Sequence, residues 1–439
     1  ITRKLPMKYS ITTLGCKVNQ YETQAMEKLL HAHGHSTVEP GQPADAVVIN
    51  TCAVTGESAR KSRQAIRRAK KSNPDALIVV CGCFSQADAD TARELGADFV
   101  GGAGERLSVV DFIDKAANRN VPEIGMKIAD PFSRRDFEIL PAGEVGGRVR
   151  ALLKIQDGCV NFCSYCIIPY LRGPSRSLPP DEALNSVMRL AGQGFKEIVI
   201  TGIEISSYGI DIGTDLGCLI VDLCNAAPSV RFRLGSLEPS TVSEEFVKKL
   251  GSLGNLCPHF HLSLQSGSAG VLKRMRRKYL PEDYRRAVSL LREVFDDPAI
   301  TTDLIVGFPG ETEEEFLETL EFIKSIGFAA MHVFPYSIRE GTRAAEMEGQ
   351  LPRSVKAERA AAAAAAASEM RRGYLDRQVG KTRKVLFETE AEGKSEGHSE
   401  NYLPVVVSAA NIRGELLDVL ITGTDGERLT GVVSTGQTN

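Results

Sequence analysis

Along residues 1–125, short apolar runs alternate with longer helical patterns. "KYSITTLG", "DAVVINT" and "ALIVVCG" read as strands, and "NQYETQAMEKLLHAHG" and "SARKSRQAIRRAKKS" read as helices. That alternation predicts a doubly wound parallel sheet. Residues 126–145 have no sustained periodicity and are punctuated by Pro and Gly, as expected of a linker. From 146 to 372 the alternation resumes. Six strand candidates follow one another: "RALLKIQ", "EIVITG", "RFRLGS", "HFHLSL", "ITTDLIVG" and "AMHVFPY". "TEEEFLETLEFIKSIG" is one of the helical segments between them, and "ERAAAAAAAASEMRRGYLDRQ" reads as a last barrel helix. Six β-α units are two short of a closed eight-stranded barrel, so an open, partial (β/α)6 barrel is expected. Residues 373–439 carry short β runs with turn signals and predict a small β-barrel. The whole is an α/β chain of three domains.

Composition adds limits. Hydrophobic residues make up 42% and charged residues 25%, the profile of an ordinary globular protein. There is no apolar run of about 18 residues, so no membrane helix is expected. "ITRKLPMKYS" lacks the apolar core of a secretory signal, and a cytoplasmic location is expected. Ile1 is an unusual first residue, and Met7 is a candidate start. The net charge of −3 advertises no global field for nucleic acid. Any basic surface is therefore local. Two runs qualify: Arg60–Lys71, with Arg60, Lys61, Arg63, Arg67 and Arg68, and Lys273–Lys278, with Arg274, Arg276 and Arg277. For each run a solvated helix face is the competing reading.

Ten cysteines without an export signal point to metal binding or catalysis rather than a disulfide framework. Cys16, Cys52 and Cys83 each follow a predicted strand of the first domain. Loops at the carboxyl ends of parallel strands share one edge, so these distant thiols are expected to converge. Cys81 is a rival to Cys83, but a place in the sheet as a small hydrophobe is expected for it. "GCVNFCSYC" follows the first barrel strand and holds Cys159, Cys163 and Cys166 in one loop. Three thiolates on a four-iron cluster leave one iron open to a ligand. Tyr165 stands ready to shield one side. A zinc site that borrows a distant fourth ligand is the alternative. Cys218, Cys224 and Cys257 match no motif and are expected to be buried structural thiols. "HAHGH" (His31, His33, His35) reads as a polar helix end stopped by Gly34. "GETEEEF" places acids at a helix start, where they suit the dipole.

Cys159-x3-Cys163-x2-Cys166, with an aromatic before the last cysteine, resembles the cluster motif of the radical S-adenosylmethionine (SAM) superfamily. "LGCKVNQYE", "INTCAVT" and "CGCFSQ" resemble the three cysteine motifs of the methylthiotransferases, which carry a second 4Fe-4S cluster. "IIPYLRGPSRS", "LGSLEP", "LSLQSGS", "LKRMRRKY", "TTDLIVGFPGETEEEF" and "VFPYSIREGTRAAEM" are similar to further family segments, and the β tail resembles a TRAM RNA-binding domain. The resemblance implies two 4Fe-4S clusters, one on Cys16, Cys52 and Cys83 and one on Cys159, Cys163 and Cys166, with SAM on the second. It implies SAM or substrate contacts at the strand ends. Thr201, Gly202 and Glu204 lie in "TGIE", where Ile203 replaces a family glycine, and Ser236, Glu238, Gln265, Ser266 and Asp303 follow on later strands; a local cap or core hydrogen bond is the competing role for each of these last residues.

The implied reaction uses one SAM to methylate a sulfur at the N-terminal cluster. A second SAM yields a 5′-deoxyadenosyl radical that removes hydrogen from C2 of an adenine. The "LGCKVNQYE" and "NTCAVT" forms resemble the branch that modifies N6-threonylcarbamoyladenosine in tRNA. Action on N6-isopentenyladenosine or on a ribosomal-protein aspartate stays open, as does a non-enzymatic iron–sulfur or zinc RNA-binding module. The partners implied are a tRNA anticodon loop and an external electron donor. No membrane partner is expected, and a monomer is.

Overall fold

The computed structural model describes residues 6–118, 125–143 and 147–434. The expected domain limits at 1 and 439, and the end of the linker at 144–146, lie outside them.

The first domain is a six-stranded sheet. Its strands pair in parallel, in the order Ser36–Thr37, Lys8–Thr13, Ala46–Thr51, Leu77–Gly82, Phe99–Gly101, Gly125–Lys127. The three central strands match the three apolar runs. Their register sets Thr13 opposite Asn50 and Thr51 opposite Gly82, so their carboxyl ends lie level. The helices Lys17–Ala32 and Gly56–Ser72 fill the crossovers. Thr55 caps the second by accepting from the Ser58 amide. At the end of the first, His33 and His35 both bond Asp114, at 2.6 and 2.8 Å, and Gly34 takes φ +93°. The "HAHGH" run thus ties one helix to another.

In the central domain the six expected strands are present as an open arc of two four-stranded sheets. One sheet orders Arg231–Leu234, Glu197–Gly202, Arg150–Asp157 and a short antiparallel edge, Arg176–Ser177. The other orders Ser236–Leu237, His259–Leu262, Ala299–Val306 and Ala330–Pro335. The run "RFRLGS" belongs to both. It changes sheet at Gly235, where an added Cβ would stand 3.0 Å from the Ile200 carbonyl. Thr312 and Glu315 form a capping box on the helix Glu313–Ile326, and Gly327 ends it at φ +69°, as the pattern predicts. The alanine-rich helix runs from Arg353 to Asp376 and buries Ala363 and Ala366.

The tail closes into a five-stranded barrel over Val385, Phe387, Val405, Val407, Val419, Ile421 and Leu429. Its second strand, Lys394–Ser399, has no apolar signature. Its buried side is Ser395, Gly397 and Ser399, and a Cβ on Gly397 would lie 2.1 Å from the Leu386 carbonyl. Backbone crowding, not hydrophobicity, selects that strand.

The domains are packed together. Tyr21 and Ala25 of the first helix lie in the same apolar cluster as the barrel core. The irregular segment after residue 126 is a bonded strap: Leu140 and Ala142 are buried, and their carbonyls accept from Tyr21 and Lys28 at 2.8 Å. At the other end, Arg231 and Arg233 share the buried Glu197 and donate onward to carbonyls of Lys384, His398, Ser399 and Glu400 in the tail.

Candidate radical centre and thiol-lined domain junction

The loop after Arg150–Asp157 is built by close backbone approaches. Gly158 (φ +78°) lies where a Cβ would strike the Pro174 carbonyl at 1.9 Å, so only glycine fits. The Cys159 amide donates to the Gly173 carbonyl at 2.9 Å, and the Cys166 amide to the Cys163 carbonyl at 3.0 Å. Ser164 anchors the far side, its amide on the Met275 carbonyl and its hydroxyl on that of Arg274. Phe162 takes the left-handed conformation and packs between Phe132 and Tyr170. The loop is held before any ligand is considered.

Charged groups close around it. Arg277 donates to the Cys163 sulfur at 3.3 Å and to both Glu238 oxygens at 2.6 Å. Asn161 donates to Glu204 at 3.3 Å, and the Glu204 amide donates to Gln156 at 2.7 Å. Burial first, and then the facing Glu238, push the Glu204 carboxyl up to about 8. Two carboxylates here face one guanidinium, so one negative charge is spare. A cation entering here would favour the charged form of Glu204.

The second triad assembles from three strand ends. An added Cβ on Gly15 would lie 2.9 Å from the Cys52 sulfur, and Cys16, Cys52 and Cys83 act on one another electrostatically. Cys52 is fastened through Ser62, which accepts from its amide and donates to its carbonyl. Cys83 begins a short helix after Gly82, whose φ of +109° no side chain would favour. Cys81 points the other way, into the apolar cluster with Val48, Val79 and Phe99.

The two triads share a wall. Ile167 and Leu171, on the segment after Cys166, pack in the same apolar cluster as Cys83 and Phe84. Beneath them lies a buried ionic network. Glu22 accepts from Arg172 at 2.8 Å, from Lys154 at 3.1 Å and from the Arg106 Nε at 3.1 Å. Asp157 accepts from Lys154 at 2.8 Å and Arg172 at 3.0 Å. Burial alone would raise Glu22, but the three cations outweigh it and hold the carboxyl far below its ordinary range.

The thiols suit ligation rather than nucleophilic attack. Burial pushes Cys159 and Cys166 up to about 12 and Cys83 up to about 11, the opposite of an activated cysteine. A coordinating metal removes such protons outright. Among the described residues no three His, Cys, Asp or Glu side chains form a site for a single metal ion. Each triad instead offers three thiols to a larger centre whose irons each take one. The Arg172 Nε is buried and meets no hydrogen-bond acceptor among the described residues. The residues present fit iron–sulfur clusters.

Tyr165 packs edge-on against Phe308. Thr201 is buried, and Gly202 passes close to the Gln156 carbonyl. Ser236 is exposed on its short strand. Gln265 (φ +63°) is bridged to Leu304, its amide bonded to the Asp303 carbonyl. The Asp303 carboxylate faces His261 at 3.4 Å. Arg60, Lys61, Arg67 and Arg68 line the exposed side of their helix, although Arg60 pairs with Glu57. Arg63 is half-buried over Phe84 at 5.8 Å. In the other run Lys273, Arg276 and Lys278 are exposed, Lys278 donating to Asn161 Oδ1 at 2.9 Å, whereas Arg274 pairs with Glu315 and Arg277 belongs to the cysteine loop. Cys218 is exposed and bonded to Asp215, contrary to the buried place expected for it. It sits at a helix start whose apolar residues face the other way. Asn161, Gln156 and Arg277's role at Cys163 were not legible in sequence. Their only signal is nearness to the cluster motif or to a strand end.

Two stretches of the chain match known families. Residues 153–323 match the radical SAM superfamily model, and residues 8–102 match "Uncharacterized protein family UPF0004". The threonylcarbamoyladenosine tRNA methylthiotransferase MtaB of Bacillus subtilis is 40% identical over 418 residues, 93% of this chain and 92% of the relative. The chain belongs to the radical SAM methylthiotransferases. The MtaB protein of Thermotoga maritima is 38% identical, over 90% of this chain and 89% of the relative. The tRNA-2-methylthio-N(6)-dimethylallyladenosine synthase of Pelotomaculum thermopropionicum is 34% identical, over 97% and 98%. Among solved structures, the radical SAM methyltransferase TsrM of Kitasatospora setae aligns at a TM-score of 0.53 and 15% identity, covering 88% of this chain and 79% of that one. That likeness concerns the fold alone. Membership of this methylthiotransferase family makes the protein an enzyme and implies SAM and a 4Fe-4S cluster. Among the described residues no helix is long and apolar enough to cross a membrane.

Proposed function

We propose that this enzyme adds a methylthio group to C2 of N6-threonylcarbamoyladenosine in the anticodon loop of tRNA. The observation that carries the reading is the shared wall between the two thiol triads. The segment that follows Cys166 directly carries Ile167 and Leu171, and these pack in one apolar cluster with Cys83. When bound, a cluster on each triad together with SAM supplies a one-electron cleavage at one centre and a sulfur to be transferred at the other.

The protein's own residues do the positioning. Glu204 and Glu238 offer the SAM ammonium a carboxylate pair, and Arg277 holds Glu238 and the Cys163 sulfur in fixed relation. Gln156 fixes the Glu204 backbone from the first barrel strand. Glu22, Lys154, Arg172 and Asp157 keep the domains from shifting, so a base drawn from the loop meets both centres at once. A base-modifying enzyme needs that extraction. Arg67, Arg68 and Arg276 are exposed cations suited to phosphates of the surrounding RNA. The higher identity to the two MtaB proteins than to the dimethylallyladenosine synthase supports the threonylcarbamoyl branch.

The test is nucleoside mass spectrometry of tRNA from a strain lacking its own methylthiotransferases, with and without this gene. The 2-methylthio derivative of N6-threonylcarbamoyladenosine is expected, and Cys159→Ala abolishes it. The isopentenyl analogue in its place would move the protein to the other tRNA branch. No new methylthio nucleoside, with both clusters intact, would overturn the tRNA assignment.

A further inference from the structure

Arg172 is the most constrained cation at the junction. It is fully buried. Four of its five donor hydrogens lie on two terminal nitrogens, and both of these are committed: Nη1 to Glu22 and Asp157, and Nη2 to Asn19 and Glu22. The fifth donor, Nε–H, has no hydrogen-bond acceptor among the described residues. A buried unpaired donor costs about 1–3 kcal/mol; Arg134, Arg274, Arg339 and Arg359 also leave Nε unpaired, and what sets Arg172 apart is its interaction with Cys83. The guanidinium and the Cys83 thiol act on each other, by charge and through the Arg172 side chain.

Charge points the same way. Arg106, Arg172, Lys154 and Arg176 face Glu22, Asp157 and Glu138, four cations to three carboxylates. The surplus positive charge abuts the N-terminal triad, where thiolates bound to iron carry negative charge. The arrangement recurs on a smaller scale at Arg339, from the loop after the last barrel strand. Its Nε is also buried without a partner, and it interacts with Cys52. Both guanidinium groups come from the barrel and not from the domain that carries the thiols.

We infer that Arg172 is a positioning residue for the N-terminal centre, its Nε–H donating to the Cys83 sulfur once that sulfur is an iron-bound thiolate. This rests on the two-cluster reading above. Its consequence is that barrel docking completes the environment of the N-terminal cluster. Hydrogen bonds to cluster sulfurs raise the reduction potential, and donors of this kind also set metal affinity.

The test uses the full chain carrying Cys159→Ala, Cys163→Ala and Cys166→Ala, so that only the N-terminal centre is reconstituted. Its midpoint potential is read by redox titration followed by electron paramagnetic resonance. Adding Arg172→Lys keeps the charge but removes Nε–H, and a more negative potential at unchanged iron content is expected. Adding Arg106→Lys disturbs the same network through Glu22 without facing the thiol; it is expected to lower the melting temperature and leave the potential in place. Equal potentials with and without Arg172→Lys would overturn the inference alone. Absence of iron from the triple-alanine protein would overturn it together with the two-cluster reading. If Arg172→Lys does not fold, an Arg339→Lys version of the triple-alanine protein labelled with 15Nε-arginine decides. A nitrogen coupling to the reduced centre supports the donor, and its absence overturns it.

Discussion

The two thiol triads solve one ligand problem in opposite ways. Cys159, Cys163 and Cys166 lie within eight residues and draw their supports, Asn161, Ser164, Arg277 and Glu238, from the same barrel. Cys16, Cys52 and Cys83 span nearly seventy residues and exist as a set only because three parallel strands end level. Their surroundings also include Arg172 of another domain. The first triad is therefore local in sequence, although Phe132 of the strap packs on its loop. The second depends on the sheet and on domain docking, and the two should fail differently when disturbed.

The largest contrast is chemical. Cys159→Ala is expected to abolish both SAM cleavage and methylthiolation. Cys83→Ala is expected to abolish methylthiolation while 5′-deoxyadenosine still forms. Chromatography with mass detection measures both products in one reaction. Loss of cleavage in Cys83→Ala would mean that the centres are not separable.

A second contrast is thermodynamic. Glu22→Gln leaves Arg106, Arg172 and Lys154 without their shared carboxylate. Breaking a buried ion pair from one side costs about 3–5 kcal/mol, and denaturant unfolding should register that loss. Iron at the N-terminal triad should fall before iron at the Cys159 loop does. The pH dependence has a definite sign. Burial opposes the charged form of both Glu22 and Glu197, yet their arginine and lysine partners hold both carboxyls below the ordinary value. Their stabilisation is present above about pH 4.3, the ordinary glutamate value. It is lost as pH falls below that value toward the folded-state pKa. The melting temperature should drop on acidification, and less steeply in Glu22→Gln.

A third contrast lies inside the barrel. Arg277→Met removes the donor to Cys163 and leaves Glu204 and Glu238 facing each other with no cation between. Losses of an outer donor of this kind run to about 10–100-fold in metal affinity or activity. SAM affinity by calorimetry should fall, with the N-terminal iron unchanged. An equal loss at both triads would show that Arg277 acts on the fold as a whole.

These contrasts explain what the sequence disclosed. The Cys159 motif is legible because its spacing is local, and the N-terminal triad because each thiol closes an apolar strand. The apolar periods also gave the barrel strands and the helix Glu313–Ile326, whose Thr312 and Gly327 are local signals. Long-range charge pairing left no local trace. Glu22 and Arg172 lie 150 residues apart, and nothing in "YETQAM" or "PYLRGP" marks them as partners. The strand Lys394–Ser399 was hidden because its inward residues are small and polar.

The smallest effect concerns the two basic runs, alike in sequence and unlike in structure. Arg67 and Arg68 are exposed on the helix Gly56–Ser72. The N-terminus of that helix reaches the barrel: a Cβ on Gly56 would lie 3.6 Å from the Ser337 hydroxyl and 3.7 Å from the Ile338 carbonyl. Arg274 is half-buried and doubly bonded to Glu315, so its charge is already neutralised. Arg67→Ala with Arg68→Ala should weaken tRNA binding a few-fold. It should also lower the slope of log affinity against log salt by up to about 1.8 on duplex RNA, less on a single strand, since each phosphate contact contributes about 0.7–0.9. Arg274→Ala should leave the slope unchanged and cost stability instead. Filter binding across a salt series separates the two, and equal slopes for all three proteins would place the RNA path elsewhere on the surface.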